Sequence, residues 1–586
     1  MPSKNPDKNQ ESHPARSYRA RAGGQTLKSC SVGALPIIDH VLERMQLPDF
    51  VESYLPDPDP RSKLAPAQGL LVLLKNILLS REPIYGLGEW AEAHAPDFMG
   101  LTPRQVKFLN DDRVGRCLDR LFDADYSSMV MALLTHVVEE FGVELDQLHN
   151  DSTTISFFGS YEDARAGASQ RGKPTLAITH GHSKDHRPDL KQLLFILTVA
   201  QDGGLPVYFT AADGNVTDDR THRDTWDLMC QLTGRHDFLY VADSKLATSE
   251  NMAHVHQNGG RFITLLPRTR SEDKKFRELI RTGGVTWTDV WSKIDEQGEL
   301  VNVFRTSSQP ATTSEGYRLL WYHSLRKQEL DAHTRARHIQ AALGELAKLR
   351  ERLRSPRTRF RQRAKVAEAV EKILEERGCG AWIDVEVREI EEDSYRQANR
   401  GRPGKNTRYV RSVRERFDLD LRIKEDAVRK EALTDGVFPL VTNVLDLSER
   451  EVLLAYKKQA KVEKRFSQIK TDFQVAPVYL KNVARIEALL CIYFLALLTQ
   501  ALIERELRMA MDKQRVDSLP LYPEGRPCRR PCTRRVLDLF QNIQRHTLTE
   551  AGQDSNTMVT ELSPVQRDIL GLLRVPARSY GRPTRA

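Results

Sequence analysis

The segment from Tyr456 to Lys470 carries a phenol, a carboxylate and an ammonium at a regular spacing. Tyr456, Glu463 and Lys470 follow one another at intervals of seven residues. Seven residues of an α-helix, at about 100° each, return to within roughly 20° of the starting direction, so the three side chains should share one face. Gln459 lies three residues after Tyr456 and flanks that face. This pattern is suited to holding a divalent ion against a phosphate.

Two upstream aspartates could complete a metal site with Glu463. Asp151 follows ELDQLHN, and Asp243 ends FLYVAD, a short apolar segment typical of a strand. If the two segments are neighbouring strands, their carboxylates meet, and at about 4 Å they repel by on the order of 4 kcal/mol. A Mg²⁺ ion would remove this repulsion, because hard cations prefer oxygen ligands. Two such ions roughly 4 Å apart can activate a water or a 3′-hydroxyl in phosphodiester chemistry.

Each acid alone also has a purely structural explanation. An aspartate at the end of a strand usually caps a turn or a helix. A glutamate in a lysine-rich helix is usually a solvated partner of a neighbouring lysine. The combination favours catalysis, because two strand-end aspartates precede a helix in which Glu463 is in phase with Tyr456 and Lys470.

Together these residues resemble the DDE triad of bacterial insertion-sequence transposases with a ribonuclease H-like core. The helix signature of that group, YREK, is Tyr, two residues, Arg, three residues, Glu, six residues, Lys. Tyr456, Glu463 and Lys470 fit it, and Gln459 replaces the Arg. The glutamine can donate a hydrogen bond to a phosphate but brings no charge. Further segments are also similar to this group: 180–192, 211–222 and 242–252.

The resemblance implies a DNA transposase that cleaves the ends of a mobile element and transfers the cut strand into target DNA. Asp151, Asp243 and Glu463 would be catalytic and would hold two Mg²⁺ ions, for which Mn²⁺ could substitute. Relatives use the Tyr, Arg and Lys positions on the phosphates of the element's end. The DNA-binding residues expected here are therefore Tyr456, Gln459 and Lys470. The implied partners are double-stranded DNA, both terminal inverted repeats and target, and a second copy of the chain in a homodimer on DNA.

Two other functions are compatible with the same residues. A metal-dependent nuclease on a ribonuclease H-like core would cut DNA without strand transfer. A DNA-binding regulator derived from a transposase would need no catalysis, and a missing acidic residue would favour it. Asp151, Asp243 and Glu463 are all present, which counts against the regulator.

A histidine cluster offers a different kind of metal site. His180, His182 and His186 lie near Asp185 and Asp189 in the sequence. A zinc nuclease built on them would leave Glu463 and its helix unexplained, so we treat this cluster as secondary.

The charge distribution favours a polyanionic partner more than the net charge does. The chain has 586 residues and a formal net charge of only +8. Its cations are concentrated in four runs, at 354–365, 400–417, 457–470 and 526–535. Such runs are often solvated faces, but beside a nuclease signature they favour salt-sensitive contact with the nucleic-acid backbone.

Cysteine usage and hydropathy predict a cytoplasmic protein, and the resemblance implies a bacterial one associated with the nucleoid. The seven cysteines are scattered and odd in number, which implies no disulfide framework and a reducing compartment. No signal peptide is visible. The most apolar stretch, 486–503, contains only 11 uninterrupted apolar residues, Ala488 to Leu498, which predicts a buried core helix and no membrane partner.

The order of the segments predicts a multidomain α/β (α+β) protein. Its centre should be a mixed sheet with flanking helices, because strand and helix signals alternate there. The resemblance implies that this sheet is ribonuclease H-like. The interval between Asp243 and Glu463 is long for such a core, which predicts a β-rich insertion with a helical hairpin. The expected regions are a disordered basic tail (1–33), an all-α N-terminal domain (34–140), a first core segment (141–267), the insertion (268–447), a second core segment (448–512) and a helical C-terminal region with a tail (513–586).

Overall fold

The computed structural model describes residues 18–22, 25–56, 61–295, 298–307, 311–355, 357–475, 480–550 and 553–581. The chain forms two compact units. The first unit combines Met1–Ile263 with Leu454–Ala586, and the second is Thr264–Leu453. The second unit therefore spans nearly the same residues as the expected insertion, 268–447.

The N-terminal region begins with two strands and continues with helices. The strands are β1 (Tyr18–Ala22) and β2 (Gln25–Ser31). The helices are α1 (Leu35–Arg44), α2 (Leu47–Tyr54), α3 (Pro66–Leu79), α4 (Leu87–Ala93), α5 (Pro103–Val106), α6 (Asp111–Asp123) and α7 (Tyr126–Phe141). Asn110 and Asp125 cap α6 and α7 through their side chains, which explains where these two helices begin. The expected helical N-terminal region is confirmed.

The expectation of a disordered tail over 1–33 is wrong for the residues of this range that the structure describes. β1 pairs with β2, and β2 pairs with a C-terminal strand, so that His546 lies opposite Ser29. Local composition does not reveal this pairing, because the partner strand is more than 500 residues away in the sequence. Residues 1–17 of the predicted tail lie outside the described residues.

The core of the first unit is a mixed sheet with the strand order β9-β8-β3-β6-β7. β3 runs antiparallel to β6 and parallel to β8, and β6 runs antiparallel to β7. Three antiparallel strands followed by parallel crossovers through helices are the ribonuclease H-like arrangement, as predicted. The elements are β3 (Gln147–Phe157), β4 (Ser169–Gln170), β5 (Lys173–Pro174), β6 (Lys191–Ala200), β7 (Pro206–Asp213), α8 (His222–Thr233), β8 (Leu239–Ala242), α9 (Ser249–Gln257) and β9 (Arg261–Leu265).

The second unit combines an antiparallel sheet, a helical hairpin and a long two-stranded ribbon. Its elements are α10 (Ser271–Arg281), β10 (Trp287–Ile294), β11 (Leu300–Ser307), β12 (Ala311–Thr312), β13 (Arg318–Ser324), α11 (Leu325–Arg354), α12 (Arg363–Arg377), β14 (Ile383–Gln397), β15 (Tyr409–Ile423), α13 (Glu425–Ala432) and β16 (Val437–Thr442). The sheet has the order β10-β11-β13-β16, with β12 paired to β13. α11 and α12 form the hairpin, and β14 and β15 form the ribbon.

The chain then returns to the first unit through three helices and a π-helical turn. They are α14 (Glu449–Lys457), α15 (Ala460–Ser467), the π-helical turn Gln468–Asp472 and α16 (Val483–Gln514). By length and composition α16 could cross a membrane, but 94% of its most apolar window is buried inside the protein. It packs against α3, α6 and β7. The predicted buried core helix is therefore confirmed, although it extends well beyond the Ala488–Leu498 stretch.

The C-terminal region is not wholly helical, although the sequence led us to expect helices there. Its elements are α17 (Thr533–Leu539), β17 (Gln544–Glu550), β18 (Gln553–Val559) and α18 (Pro564–Leu572). β17 and β18 form a hairpin that completes a four-stranded sheet in the order β1-β2-β17-β18. The N-terminal and C-terminal regions thus stabilise each other through main-chain hydrogen bonds.

Candidate active site

Asp151 and Asp243 lie at equivalent points of two neighbouring parallel strands. In the register of β3 and β8, Asn150 lies opposite Ala242. Each aspartate is the next residue in its chain, Asp151 within β3 and Asp243 just past the end of β8. Because neighbouring strands lie about 4.8 Å apart, the two side chains begin close together. The register of the two strands therefore sets Asp151 and Asp243 side by side, as the sequence led us to expect.

Tyr456, near the end of α14, is a residue whose pKa all three acids raise. Burial raises the pKa of its phenol, and the charges of Asp243, Asp151 and Glu463 raise it further. A charge has such an effect only from nearby, because its field weakens with distance and is screened by solvent. The three acids, far apart in the sequence, therefore lie around one largely buried phenol.

The predicted single helix from Tyr456 to Lys470 is interrupted. α14 ends at Lys457, α15 begins at Ala460, and Lys470 lies in the π-helical turn after α15. The regular seven-residue stripe is therefore not a continuous face. Main-chain hydrogen bonds from Lys458 to Ala455 and from Gln459 to Tyr456 span the break. Glu463 remains near Tyr456, since its charge raises the pKa of the phenol.

α15 is fixed to the sheet and to α16 through Arg465. The guanidinium is fully buried and donates hydrogen bonds of 2.8 Å to the main-chain oxygens of both Gly203 and Gly204, in the turn between β6 and β7. It also pairs with the buried carboxylate of Glu504 at 3.2 Å. Gly203 and Gly204 have φ values of 62° and 64°, which only glycine adopts without strain.

Glu463 is exposed on this anchored helix. Within the part of the chain that the structure describes, its carboxylate makes no hydrogen bond or ion pair. Its helical neighbour Lys464 instead pairs with Glu504. The acid is thus held by a rigid backbone while its oxygens stay available to a ligand, as a catalytic carboxylate requires.

Gln459 does not occupy the DNA-facing position that the sequence predicted. The side chain is only 8% exposed and lies at the junction of α14 and α15. Its Nε2 donates a 2.8 Å hydrogen bond to the main-chain oxygen of Asn150, and its Oε1 lies 2.9 Å from Nδ1 of His149. Both ends of the amide are used by β3, so Gln459 connects the helix to the strand that carries Asp151.

His149 completes this buried connection and was not identified from the sequence. Since Gln459 Oε1 can only accept, His149 Nδ1 carries the proton, and its Nε2 accepts from Gln147 Nε2 at 3.0 Å. Gln147 also donates to the main-chain oxygen of Ala455 in α14. Burial lowers the pKa of His149 to about 4, consistent with this neutral tautomer. The only sign of this role in the sequence is the position of His149, two residues before Asp151, and no known motif marks a histidine there.

Lys184 is a second residue that the sequence analysis missed. Its ammonium donates hydrogen bonds of 2.7 Å to the main-chain oxygen and to Oγ of Ser152, and lies 3.4 Å from Oδ1 of Asp151. It belongs to the loop that joins β5 to β6, within the segment 180–192 that carries the family resemblance. Lys184 thus compensates part of the negative charge of the site.

Lys470 lies near the site but is paired with an acid of the same loop. Its Nζ contacts Oδ1 of Asp185 at 2.6 Å, and both side chains are partly exposed. The other oxygen of Asp185 lies 3.5 Å from the hydroxyl of Thr154, in β3. The predicted phosphate-binding ammonium is therefore at the site's edge, held by Asp185.

The oxygen atoms of the three carboxylates are suitable ligands for a hard divalent cation, although the three groups do not converge on a single position in this structure. Among the described residues, no group of three acidic, histidine or cysteine side chains is close enough to hold a metal ion. The same finding covers the histidine cluster at 180–186, which lies on the loop between β5 and β6. Asp151, Asp243 and Glu463 nevertheless offer only oxygen ligands around one phenol. A cation bound at Asp151 would compete with the ammonium of Lys184.

Comparison with known families identifies the family of this chain. Residues 27–135 match a domain of unknown function (DUF4277). Residues 147–499 match the family described as Transposase DDE domain, which covers more than half of the chain and includes all three acids. The chain belongs to the Transposase DDE domain family.

This DDE transposase domain carries a defined set of family properties. Membership implies DNA transposition, which proceeds by nuclease and transesterase reactions. It also implies binding to DNA and the use of divalent metal ions. The insertion interrupting the core lies inside the matched region, between Asp243 and Glu463.

Other comparisons add little to the family assignment. No curated protein sequence matches the chain. A chain described as "Crystal structure of a pre-cleavage Mos1 transpososome" is 9% identical, with a TM-score of 0.13, over 35% of this chain and 60% of its own length. This chain therefore spans less than two thirds of that relative. At so low a TM-score the likeness supports no argument, and the fold assignment rests on the strand order itself.

Proposed function

We propose that this DDE transposase is an insertion-sequence transposase of the Tyr-Arg-Glu-Lys type, with Gln459 in place of the arginine. It would cleave DNA at the ends of its element and join the freed strands to target DNA. The observation that carries the proposal is the register of β3 and β8, which places Asp151 beside Asp243. The charges of these two acids and of Glu463 all act on the buried phenol of Tyr456, which supports a common site.

Asp151, Asp243 and Glu463 are the residues that would hold the divalent cations, which we propose to be two Mg²⁺ ions, replaceable by Mn²⁺. Bound there, the cations would lower the pKa of a nucleophilic water or hydroxyl and neutralise charge on the phosphate. The matched positions of Asp151 and Asp243 support this assignment, since two carboxylates so placed need a shared counter-charge.

The protein's own groups would bind and orient the phosphate. Tyr456 keeps its proton, because burial and three nearby acids raise its pKa, so its hydroxyl can donate a hydrogen bond to a phosphate oxygen. Lys470 would supply a positive charge once it leaves Asp185. The carboxylate of Glu463 makes no hydrogen bond or ion pair among the described residues, and it could therefore orient the nucleophile.

The proposed reaction has two steps. In the first, the oxygen of water attacks the phosphorus at the element's boundary, and the bond from phosphorus to the 3′-oxygen breaks. This releases a 3′-hydroxyl and leaves a 5′-phosphate. In the second, the 3′-hydroxyl oxygen attacks a phosphorus of target DNA, loses its proton, and displaces the target's 3′-oxygen, which takes up a proton.

The proposed partners are the terminal inverted repeats, the target duplex and a second copy of the chain. Two ends must be paired before cutting, which is the reason to propose a dimer on DNA. We place the reaction in the bacterial cytoplasm at the nucleoid, where the seven cysteines, all free among the described residues, would stay reduced.

A joining assay separates this function from that of a simple nuclease. Duplexes from the DNA that flanks the coding region, pre-cut to expose the 3′-hydroxyl, would be mixed with the protein, Mg²⁺ and a supercoiled plasmid. We expect covalent joining of the ends to the plasmid. Cleavage of uncut ends without any joining of pre-cut ends would contradict the proposal and identify a nuclease.

A further inference from the structure

The second unit carries an unusually long two-stranded ribbon. β14 and β15 pair without interruption from Ile383 opposite Ile423 to Gln397 opposite Tyr409, 15 residues in each strand. At about 3.4 Å per residue, the ribbon is roughly 50 Å long. An isolated two-stranded ribbon is marginally stable in water, so some of its length must be held by other elements.

Only the base of the ribbon is packed. Ile383, Phe417 and Leu419 are buried in a hydrophobic core that includes residues of α11 and α12. No residue from 391 to 415, all of which the structure describes, is buried. We call residues 391–415 the ribbon arm. The arm is supported only at its base, and neither face of its two strands is buried by other residues of the second unit.

The face that packs at the base continues, uncovered, along the arm. Side chains alternate between the two faces of a strand, so Tyr395 and Val413 share a face with Ile383 and Leu419. On the arm this face exposes Tyr395 (64%), Tyr409 (55%) and Val413 (50%). Large side chains left exposed on an extended ribbon indicate a binding surface.

The charge of the outer part of the arm indicates the partner. The four acidic residues of the arm, Glu391, Glu392, Asp393 and Glu415, all lie at its inner end. Residues 394–412 contain six cations and no acidic residue: Arg396, Arg400, Arg402, Lys405, Arg408 and Arg411. Arg411 pairs with Asp393 at the arm's edge. The other five form no ion pair in the part of the chain that the structure describes. A surface with five uncompensated cations is complementary to a dense polyanion.

We propose that the ribbon arm binds duplex DNA, with its cations on the phosphates and its two strands along the major groove. A two-stranded ribbon fits a groove about 12 Å wide. Cations spread along both strands and the tip can reach the phosphates on both sides of that groove. This inference rests on the proposed function, because it assigns to the insertion a separate grip on the transposase's DNA.

The test uses the full chain and a duplex of unrelated sequence, without divalent cations. The variant Arg400→Gln, Arg402→Gln, Lys405→Gln and Arg408→Gln removes four exposed cations from the tip. Its matched control removes four exposed cations from the helical hairpin, outside the cationic run 354–365: Arg326→Gln, Arg337→Gln, Lys348→Gln and Arg352→Gln. The dissociation constant is measured over a range of NaCl concentrations.

We expect the tip variant to bind more weakly and to lose up to about one unit of salt slope per phosphate contact removed. The control should lose much less. Equal losses in the two variants, or an unchanged slope in the tip variant, would overturn the proposal. A tip variant that binds DNA normally but changes its oligomeric state in sedimentation would overturn it in favour of a second copy as the partner. DNA affinity is measured without any cleavage. The outcome of this test is therefore independent of the outcome of the joining assay.

Discussion

Gln459 Nε2 donates a 2.8 Å hydrogen bond to the main-chain oxygen of Asn150, the residue that precedes Asp151. With the contact to His149, this fixes the junction of α14 and α15 against the strand that carries Asp151. The glutamine thus forms a buried connection between helix and strand, and both ends of its amide are already bonded inside the protein.

Substitution of Gln459 should therefore affect stability before it affects DNA binding. Gln459→Ala leaves the buried His149 Nδ1–H and Asn150 oxygen unsatisfied, at about 1–3 kcal/mol each. We expect the free energy of unfolding to fall by about 2–4 kcal/mol in denaturant titrations. Gln459→Arg should cost at least as much, because it brings a charge into the same interior.

The control for this experiment is Gln340→Ala, at an exposed position of α11, where the change should stay within about 0.5 kcal/mol. A Gln459→Arg variant of undiminished stability, with a steeper salt dependence of DNA binding, would show that position 459 faces the phosphates after all.

Lys184 should compete with metal ions for Asp151. Removing its ammonium in Lys184→Met leaves the carboxylate without this counter-charge, and a partly exposed pair is worth about 0.5–1 kcal/mol. We expect the affinity for Mn²⁺, measured by calorimetric titration at low salt, to rise roughly two- to fivefold.

The comparison for Lys184 is Arg187→Gln, in the same loop, whose guanidinium pairs with Asp189 instead. Its Mn²⁺ affinity should match that of the unmodified protein. If Lys184→Met bound Mn²⁺ no better, or less well, the ammonium would not occupy the place of a metal ion.

Glu487 should make stability depend on pH. Burial raises the pKa of this α16 carboxyl to about 7, and the charge of Asp213 adds to the effect. The folded state therefore binds a proton that the unfolded chain has released, so stability is full below about pH 4.5 and is lost as pH rises through about 7. Glu487→Gln, which keeps an acceptor for the N–H of Leu176, removes this loss.

Relative to the unmodified protein, Glu487→Gln should gain up to about 3 kcal/mol between about pH 5 and pH 8, measured by denaturant unfolding at each pH. Equal pH profiles for the two proteins would mean that Glu487 is ionised in the folded state at neutral pH.

The sheet and the positions of its two aspartates could be predicted because buried strands have a recognisable pattern of apolar and β-branched residues in the local sequence. The apolar, β-branched segments around Asp151, at 193–200 and before Asp243 all form strands where the sequence indicates them. The pairing of these two strands then places Asp151, within β3, beside Asp243, just past the end of β8.

Features that depend on distant contacts could not be predicted. The segment 175–183 has strand composition yet forms a loop, which carries Lys184 to Asp151. No glycine or proline marks the break after Lys457, and Gln459 at that break bonds to β3. The regular spacing of Tyr456, Glu463 and Lys470 therefore does not correspond to one continuous helical face.

The central claim is that Asp151, Asp243 and Glu463 act as one metal-dependent site. Its most direct test is cleavage of a duplex bearing the element's end, in Mg²⁺, by Asp243→Asn and by the control Asp237→Asn. Asp237 is exposed before β8 and pairs with Arg235. With both variants folded, we predict that Asp243→Asn loses at least about a hundredfold in rate while Asp237→Asn keeps it. Cleavage by Asp243→Asn at the unmodified rate would contradict the account.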